Sequence, residues 1–266
     1  MLRAGFDGEN MDIGISTACF YPMTTEETLS HIASLDFRQI EVFVNSPSES
    51  TVSYAKKLRH QAEALNIEII AFHPFSSFAE TYCLFGAYER RRQDFYDIYK
   101  GYFESAATMG AKTFNFHGCR SDWEIEPARY CEIYYALYGL AKETGVHFSQ
   151  ENVNRHHAAT VDFISMMRHQ LKDDLCFTFD VKQAMRSGED PCAVRDAMGD
   201  KLIHFHASDY RNDGSCALPG QGVCDYKTIL NSHISSEHVS KVIEVYSGDY
   251  STEQDLRSAV DYMNKL

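Results

Sequence analysis

At 266 residues, 44% of them hydrophobic and including 17 Phe and 16 Tyr, the chain can bury one large core. Its 25 basic against 38 acidic residues leave a formal net charge of −13, and with no long Lys/Arg run nucleic acid is disfavoured as a partner. The eight cysteines contain no Cys-x-x-Cys pair, so neither a zinc ribbon nor a thioredoxin-like site is indicated; with no secretory leader and no apolar run of membrane-spanning length, the expectation is a cytoplasmic protein without a membrane partner.

Residues 1–10, MLRAGFDGEN, show no periodicity and are expected to be an extension with little structure of its own. Residues 11–18 (MDIGISTA) form a first strand, and Thr24 caps a helix with early acids and a buried face at Leu29, Ile32, Ala33 and Leu35. Residues 39–44 (QIEVFV) are strand two, with Glu41 inside it as a structural group pairing with a neighbouring strand's base; a helix at 48–65 stops at Asn66. Strand three, 67–73, ends at His73-Pro74, where proline releases the chain into an aromatic loop through Tyr82 and Phe85. A helix at 88–109 is closed by Gly110; strand four, 112–117, ends at His117-Gly118, and a loop holding Trp123 leads to a helix started by Pro127. That helix carries Tyr130, Tyr134, Tyr135 and Tyr138, a stripe suited to the barrel wall or a subunit contact.

Strand five, 147–152, carries Gln150-Glu151-Asn152 and is followed by a helix at 160–169. Strand six, 176–180, delivers Asp180, and a short helix at 191–198 leads to strand seven, 203–209, with His204, His206 and Asp209. Residues 210–223, rich in glycine and polar groups, make a loop; a helix at 225–232, strand eight at 241–246 around Glu244, and a helix from Thr252 complete eight strand-helix units. No linker divides them, so residues 11–266 are expected to form a single (β/α)8 barrel, with a doubly wound open sheet as the less favoured fold because no glycine fingerprint follows strand one.

In such a barrel the strand ends form one face. Glu151, Asp180, His206 and Glu244 would come from four neighbouring strands, and three crowded carboxylates repel unless a proton or a cation sits among them. Oxygen-rich ligation with one imidazole suits Mn²⁺ or Mg²⁺, with Zn²⁺ and Co²⁺ as alternatives. For Glu244 the competing assignment is an interior ion pair with Lys182.

Taken together, Phe72-His73-Pro74, Phe116-His117-Gly118, Gln150-Glu151-Asn152, Phe179-Asp180-Val181, His204-Phe205-His206 with Asp209, Pro219-Gly220-Gln221-Gly222 and Ile243-Glu244-Val245 resemble the xylose-isomerase-like TIM barrel superfamily. That superfamily holds sugar isomerases, ketose 3-epimerases, inosose dehydratases and the AP endonuclease family. The resemblance implies that Glu151, Asp180, His206 and Glu244 bind one divalent metal, that the metal stabilises an enediolate, and that Glu151 and Glu244 remove and return the proton. It also implies a small sugar or polyol substrate, with or without phosphate, and it allows a homo-oligomer; His73, His117, Gln183, Arg211 and Lys182 are the candidate substrate contacts. His73 and His117 are equally open to holding a second metal or to bonding rim carbonyls. Two departures stand out: Gln183 occupies a place where the family often has histidine, and Asp213-Gly214-Ser215 lacks the Asp-x-His pair of the endonucleases. The expected activity is therefore sugar isomerisation or epimerisation, with an inosose-dehydratase-like lyase, an endonuclease-like phosphodiesterase and a noncatalytic sugar-binding barrel as the alternatives.

Overall fold

The computed structural model describes residues 13–75, 78–231 and 233–266. The expected extension at 1–10, the first two residues of strand one and the last residue of the helix at 225–232 lie outside them. The chain runs β1 (Ile13–Ser16), α1 (Thr25–Ser34), β2 (Gln39–Phe43), α2 (Val52–Ala64), β3 (Glu68–His73), α3 (Phe78–Leu84), α4 (Glu89–Met109), β4 (Thr113–Phe116), α5 (Pro127–Glu143) and β5 (His147–Glu151). It continues with α6 (Val161–Leu171), β6 (Cys176–Asp180), α7 (Val181–Arg186), α8 (Pro191–Met198), β7 (Leu202–Ala207), β8 (Asp209–Tyr210), β9 (Cys216–Ala217), α9 (Tyr226–Ile229), β10 (Ser240–Ile243) and α10 (Glu253–Met263). Eight parallel strands close in the order β1-β10-β7-β6-β5-β4-β3-β2, a single (β/α)8 TIM barrel. Among the described residues no helix is long and apolar enough to cross a membrane.

Side chains alternate between the two faces of a strand, and here the two faces differ in chemistry. Phe72, Phe114, Phe116, Phe148, Phe177, Phe179 and Phe205 are fully buried and form the aromatic layer between strands and helices. The alternate positions Glu41, Asn115, Ser149, Thr178, His204 and His206 are also buried but hydrogen-bond to one another across the barrel interior. The main core therefore lies outside the strand ring, and the ring is filled by a paired polar network that avoids the cost of unsatisfied buried groups. Register shifts at Ile40/Glu41 and Phe177/Thr178 place bulges next to two members of this network, where bulges re-aim side chains.

Local signals account for many of the ends. Thr24 and Glu27 form a reciprocal capping box on α1, Pro127 starts α5, and Gly110 closes α4 in the left-handed region. The tyrosines of α5 divide: the Tyr134 hydroxyl donates to Phe148 O at 2.7 Å and the Tyr130 hydroxyl to Gln150 Oε1 at 2.7 Å, whereas Tyr135 is 56% exposed. The expected stripe is thus a wall contact on one side and solvent-facing on the other.

Three expectations need correction, and α7, the six residues after Asp180, was not foreseen. The aromatic segment at 78–84 is helix α3, and the loop at 210–223 forms most of the antiparallel ribbon β8–β9, which starts at Asp209. The helix expected at 225–232 is helical only over Tyr226–Ile229. These elements are too short for periodicity to register.

Candidate metal and catalytic site

The upper ends of β5, β6, β7 and β10 are neighbours on the ring, and they bring Glu151, Asp180, His206 and Glu244 together. One ligand atom from each lies within 4.8 Å of the other three. His206 Nδ1 is 3.3 Å from Glu244 Oε2, 3.5 Å from Glu151 Oε1 and 3.7 Å from Asp180 Oδ2. Two ligands at about 2.1 Å from one Mg²⁺ ion lie between about 3 and 4.2 Å apart, so these three separations suit a shared ion. Asp180 Oδ2 and His206 Nδ1 are buried and make no hydrogen bond, an arrangement that a cation between them resolves; Glu151 Oε2, also without a hydrogen bond, lies toward His73 and His117.

Neighbouring groups fix each of the four. His206 turns its other nitrogen to Glu41 Oε2 at 3.1 Å, so Nε2 donates to the carboxylate and Nδ1 faces the centre, the arrangement by which a carboxylate orients a metal-binding histidine. Glu41 Oε2 also accepts from His204 at 3.1 Å and Asn115 at 2.5 Å, while Oε1 accepts from Ser16 at 3.0 Å. Glu41, His204 and His206 are close enough to be a ligand set of their own, but their hydrogen bonds already satisfy one another, so Glu41 supports the centre from beneath. Asp180 divides its oxygens: Oδ1 accepts the Gln183 N–H at 2.8 Å and caps α7, which leaves Oδ2 for the centre. Asn152 donates to Asp180 O at 2.9 Å and accepts its N–H at 2.8 Å, tying the ends of β5 and β6 together.

Charge follows this geometry. Burial alone would raise Glu151, but His117 and His206 hold it well below its ordinary value. Burial likewise opposes ionisation of Glu244, yet the charges of His206 and Lys182 draw it down to about 2. Asp180 is raised by burial, with Lys182 opposing. Despite burial, Glu244 and Glu41 raise His206 well above its usual value. The centre thus holds two ionised glutamates against His206 and Lys182, with Asp180 between them.

Beside it, His73 and His117 each place Nε2 3.4 Å from Glu151 Oε2 and 3.1 Å from one another. His73 Nδ1 donates to Pro74 O at 3.3 Å, leaving Nε2 as an acceptor. These two histidines and Glu151 form a second possible ligand group, with Glu151 offering one oxygen to each. Gly118, the residue after His117, has a φ of +80°, and an added Cβ would sit 2.0 Å from Tyr130 Oη.

Lys182 enters from α7, 3% exposed, with Nζ 3.4 Å from Glu244 Oε2 and 3.6 Å from Asp180 Oδ2. The ion pair with Glu244 weighed from sequence is present, and Glu244 also belongs to the four-residue centre. Gln183 lies at the edge, where Oε1 accepts the Asn154 N–H at 3.1 Å. Arg211 sits on the ribbon, donating to Cys216 O and Ser215 Oγ. Asp209 does not face the centre: its carboxylate accepts the N–H groups of Tyr210, Gly220, Gly222 and Cys224, and a Cβ on Gly222 would meet Asp209 Oδ1 at 2.3 Å. The Pro219-Gly220-Gln221-Gly222 motif therefore wraps a buried carboxylate.

Sequence reasoning missed Asn115 and Thr178 as supports of the site. Their only signal is the period of two: Asn115 and Thr178 fall two residues before His117 and Asp180.

The model of the xylose isomerase-like TIM barrel family matches residues 29–266. No curated protein matches the chain. Among solved structures, a D-psicose 3-epimerase in the presence of D-fructose superposes with a TM-score of 0.74 at 15% identity, over 95% of each chain. The probable 3-DHS dehydratase of petrobactin synthesis from Bacillus anthracis gives 0.70 at 12% identity, over 95% of this chain and 97% of that one. A xylose isomerase-like TIM barrel/4-hydroxyphenylpyruvate dioxygenase fusion protein gives 0.72 at 21% identity over 95% of this chain, which spans only 41% of the fusion. At these identities the likeness establishes the fold, and the family match agrees with it: the chain belongs to the xylose isomerase-like TIM barrel family.

Proposed function

We propose that the chain is a divalent-metal-dependent sugar isomerase or epimerase. The observation that carries this reading is the meeting of Glu151, Asp180, His206 and Glu244, with Asp180 Oδ2 and His206 Nδ1 buried, unpartnered and 3.7 Å apart. The donor set of three carboxylates and one imidazole favours Mn²⁺ or Mg²⁺, with Zn²⁺ or Co²⁺ as alternatives. When bound, the ion supplies Lewis-acid chemistry to adjacent substrate oxygens. Glu151 and Glu244, both held ionised, are the proton carriers. One takes the proton from the carbon beside the carbonyl as the C–H electron pair shifts toward that carbonyl, and the other, once it has taken up a proton from water, returns it. Return to the opposite face of the same carbon inverts it, and return to the neighbouring carbon moves the carbonyl. His73, His117, Lys182, Gln183 and Arg211 are the proposed substrate contacts, the first three beside the carboxylates and the last two at the edge and on the ribbon.

The test is exchange of substrate hydrogen in deuterated water across a panel of ketoses with and without phosphate, with Mn²⁺ added. Wild type is expected to exchange, and Glu151→Gln and Glu244→Gln are each expected to lose exchange while keeping the fold. Near-wild-type exchange in either variant removes that residue from the mechanism. Product analysis separates proton return from water loss, the reaction that the name of the 3-DHS dehydratase neighbour describes. The grouping of His73, His117 and Glu151 favours a second reading, a two-metal phosphodiesterase; two bound Mn²⁺ ions per chain together with nicking of abasic DNA would support it.

A further inference from the structure

We propose that Lys182 is the site's own counter-cation, sharing two ligand oxygens with the divalent ion and so setting how tightly that ion is held. The inference rests on the four-residue metal site proposed above and not on the reaction. Glu244 Oε2 lies 3.4 Å from Lys182 Nζ and 3.3 Å from His206 Nδ1. Asp180 Oδ2 lies 3.6 Å from the same ammonium and 3.7 Å from the same imidazole nitrogen. Each oxygen thus faces the open nitrogen of His206 and the ammonium together. Lys182 Nζ also lies 3.5 Å from Glu244 O, which holds the ammonium at the strand end rather than in solvent.

The charges explain why an ammonium stays in so buried a place. With His206 neutral, as a metal ligand must be, Glu151, Asp180 and Glu244 carry three negative charges and Lys182 one positive. A single divalent ion then brings the centre to neutrality. Without the ion, Lys182, beside His206, offsets part of the charge of the two carboxylates it touches, so the empty centre keeps a charged partner in low-dielectric surroundings where an unpaired carboxylate is costly. With the ion, a second positive charge competes for the same oxygens and weakens binding. Among the described residues no other Lys or Arg pairs with these four groups. The position of Lys182, two residues after Asp180 on the first turn of α7, means that the ligand and its competitor are set by one helix start.

The experiment measures Mn²⁺ affinity by competition with a fluorescent chelator, starting from the loaded full-length protein, for wild type, Lys182→Met and Lys182→Arg. It also measures the thermal midpoint of each after treatment with excess EDTA. Lys182→Met is expected to hold Mn²⁺ at least tenfold more tightly and to melt well below wild type in EDTA, with failure to fold there as the extreme of that result. Lys182→Arg, which keeps the charge, is expected to stay within threefold of wild type in affinity. Affinity for Mn²⁺ that is unchanged or weaker in Lys182→Met, or an EDTA-treated midpoint equal to wild type, overturns the role of Lys182. Wild type that takes up no Mn²⁺ overturns the metal site and this inference with it, whereas wild-type uptake with no change in the variant overturns this inference alone.

Discussion

Replacing Glu41 by Gln removes one charge from the barrel interior with almost no change of shape, and its consequences can be worked from the contacts. Asn115, His204 and His206 converge on Oε2 and Ser16 on Oε1. If the amide oxygen takes the Oε2 place, the Ser16 hydroxyl can turn to accept from the amide, and three hydrogen bonds change from charge-assisted to neutral. A hydrogen bond to a charged group contributes about 1.5–3 kcal/mol against about 1 for a neutral pair, so the three together cost about 3 kcal/mol. For a chain of this length that corresponds to a fall of ~6–12 °C in the thermal midpoint. The orientation of His206 is loosened as well, and loss of such an outer partner lowers metal affinity by about 10–100-fold. Urea denaturation of Glu41→Gln, with Mn²⁺ titration of the same sample, reads both effects. Stability within about 0.5 kcal/mol of wild type together with unchanged Mn²⁺ affinity would refute the claim that this carboxylate holds the network and aims the imidazole.

Two further outcomes follow from other parts of the structure. Gly118→Ala is expected to lose about 2 kcal/mol or more by urea midpoint, because its Cβ would enter the Tyr130 hydroxyl at a positive φ; Tyr130→Phe in the same chain should recover part of the loss, and a fully stable Gly118→Ala would contradict the contact. His156 is drawn down to about 4, first by burial and then by the charge of His117. The unfolded chain takes up this proton below about 6.5 while the folded one refuses it, so stability contributed at neutral pH is lost as pH falls from about 6.5 to 4. His156→Gln should flatten the stability profile in that window, while the loss tied to Glu244, with its value near 2, begins only below about 4.5. An unchanged slope between pH 4 and 6.5 in the variant would count against the burial of His156.

The barrel was legible because alternation is a local property. TFNF and CFTFD carry aromatics on one face and small or polar groups on the other, and the last inward position of β5 and of β6 is a carboxylate. The four-residue cluster followed from strand order alone. Glu41 was harder: its partner His206 belongs to β7, three places away on the ring, and a bond across the interior leaves no periodic trace. Asp209 looked like one more strand end, yet β7 stops at Ala207, and the four N–H groups it gathers come from its neighbour and from a return of the chain that sequence spacing does not foretell. Helices α3 and α7, seven and six residues long, are too short to display an amphipathic repeat.

The reciprocal bonds between Asn152 and the backbone of Asp180 have a mechanical meaning. Two acidic arms mounted on separate strands are bolted at their roots, so a displacement of one is carried to the other and the gap between them is kept. Retuning such a pocket for a different guest is accordingly easier from the loops above than from β5 or β6, where altering either arm unsettles both.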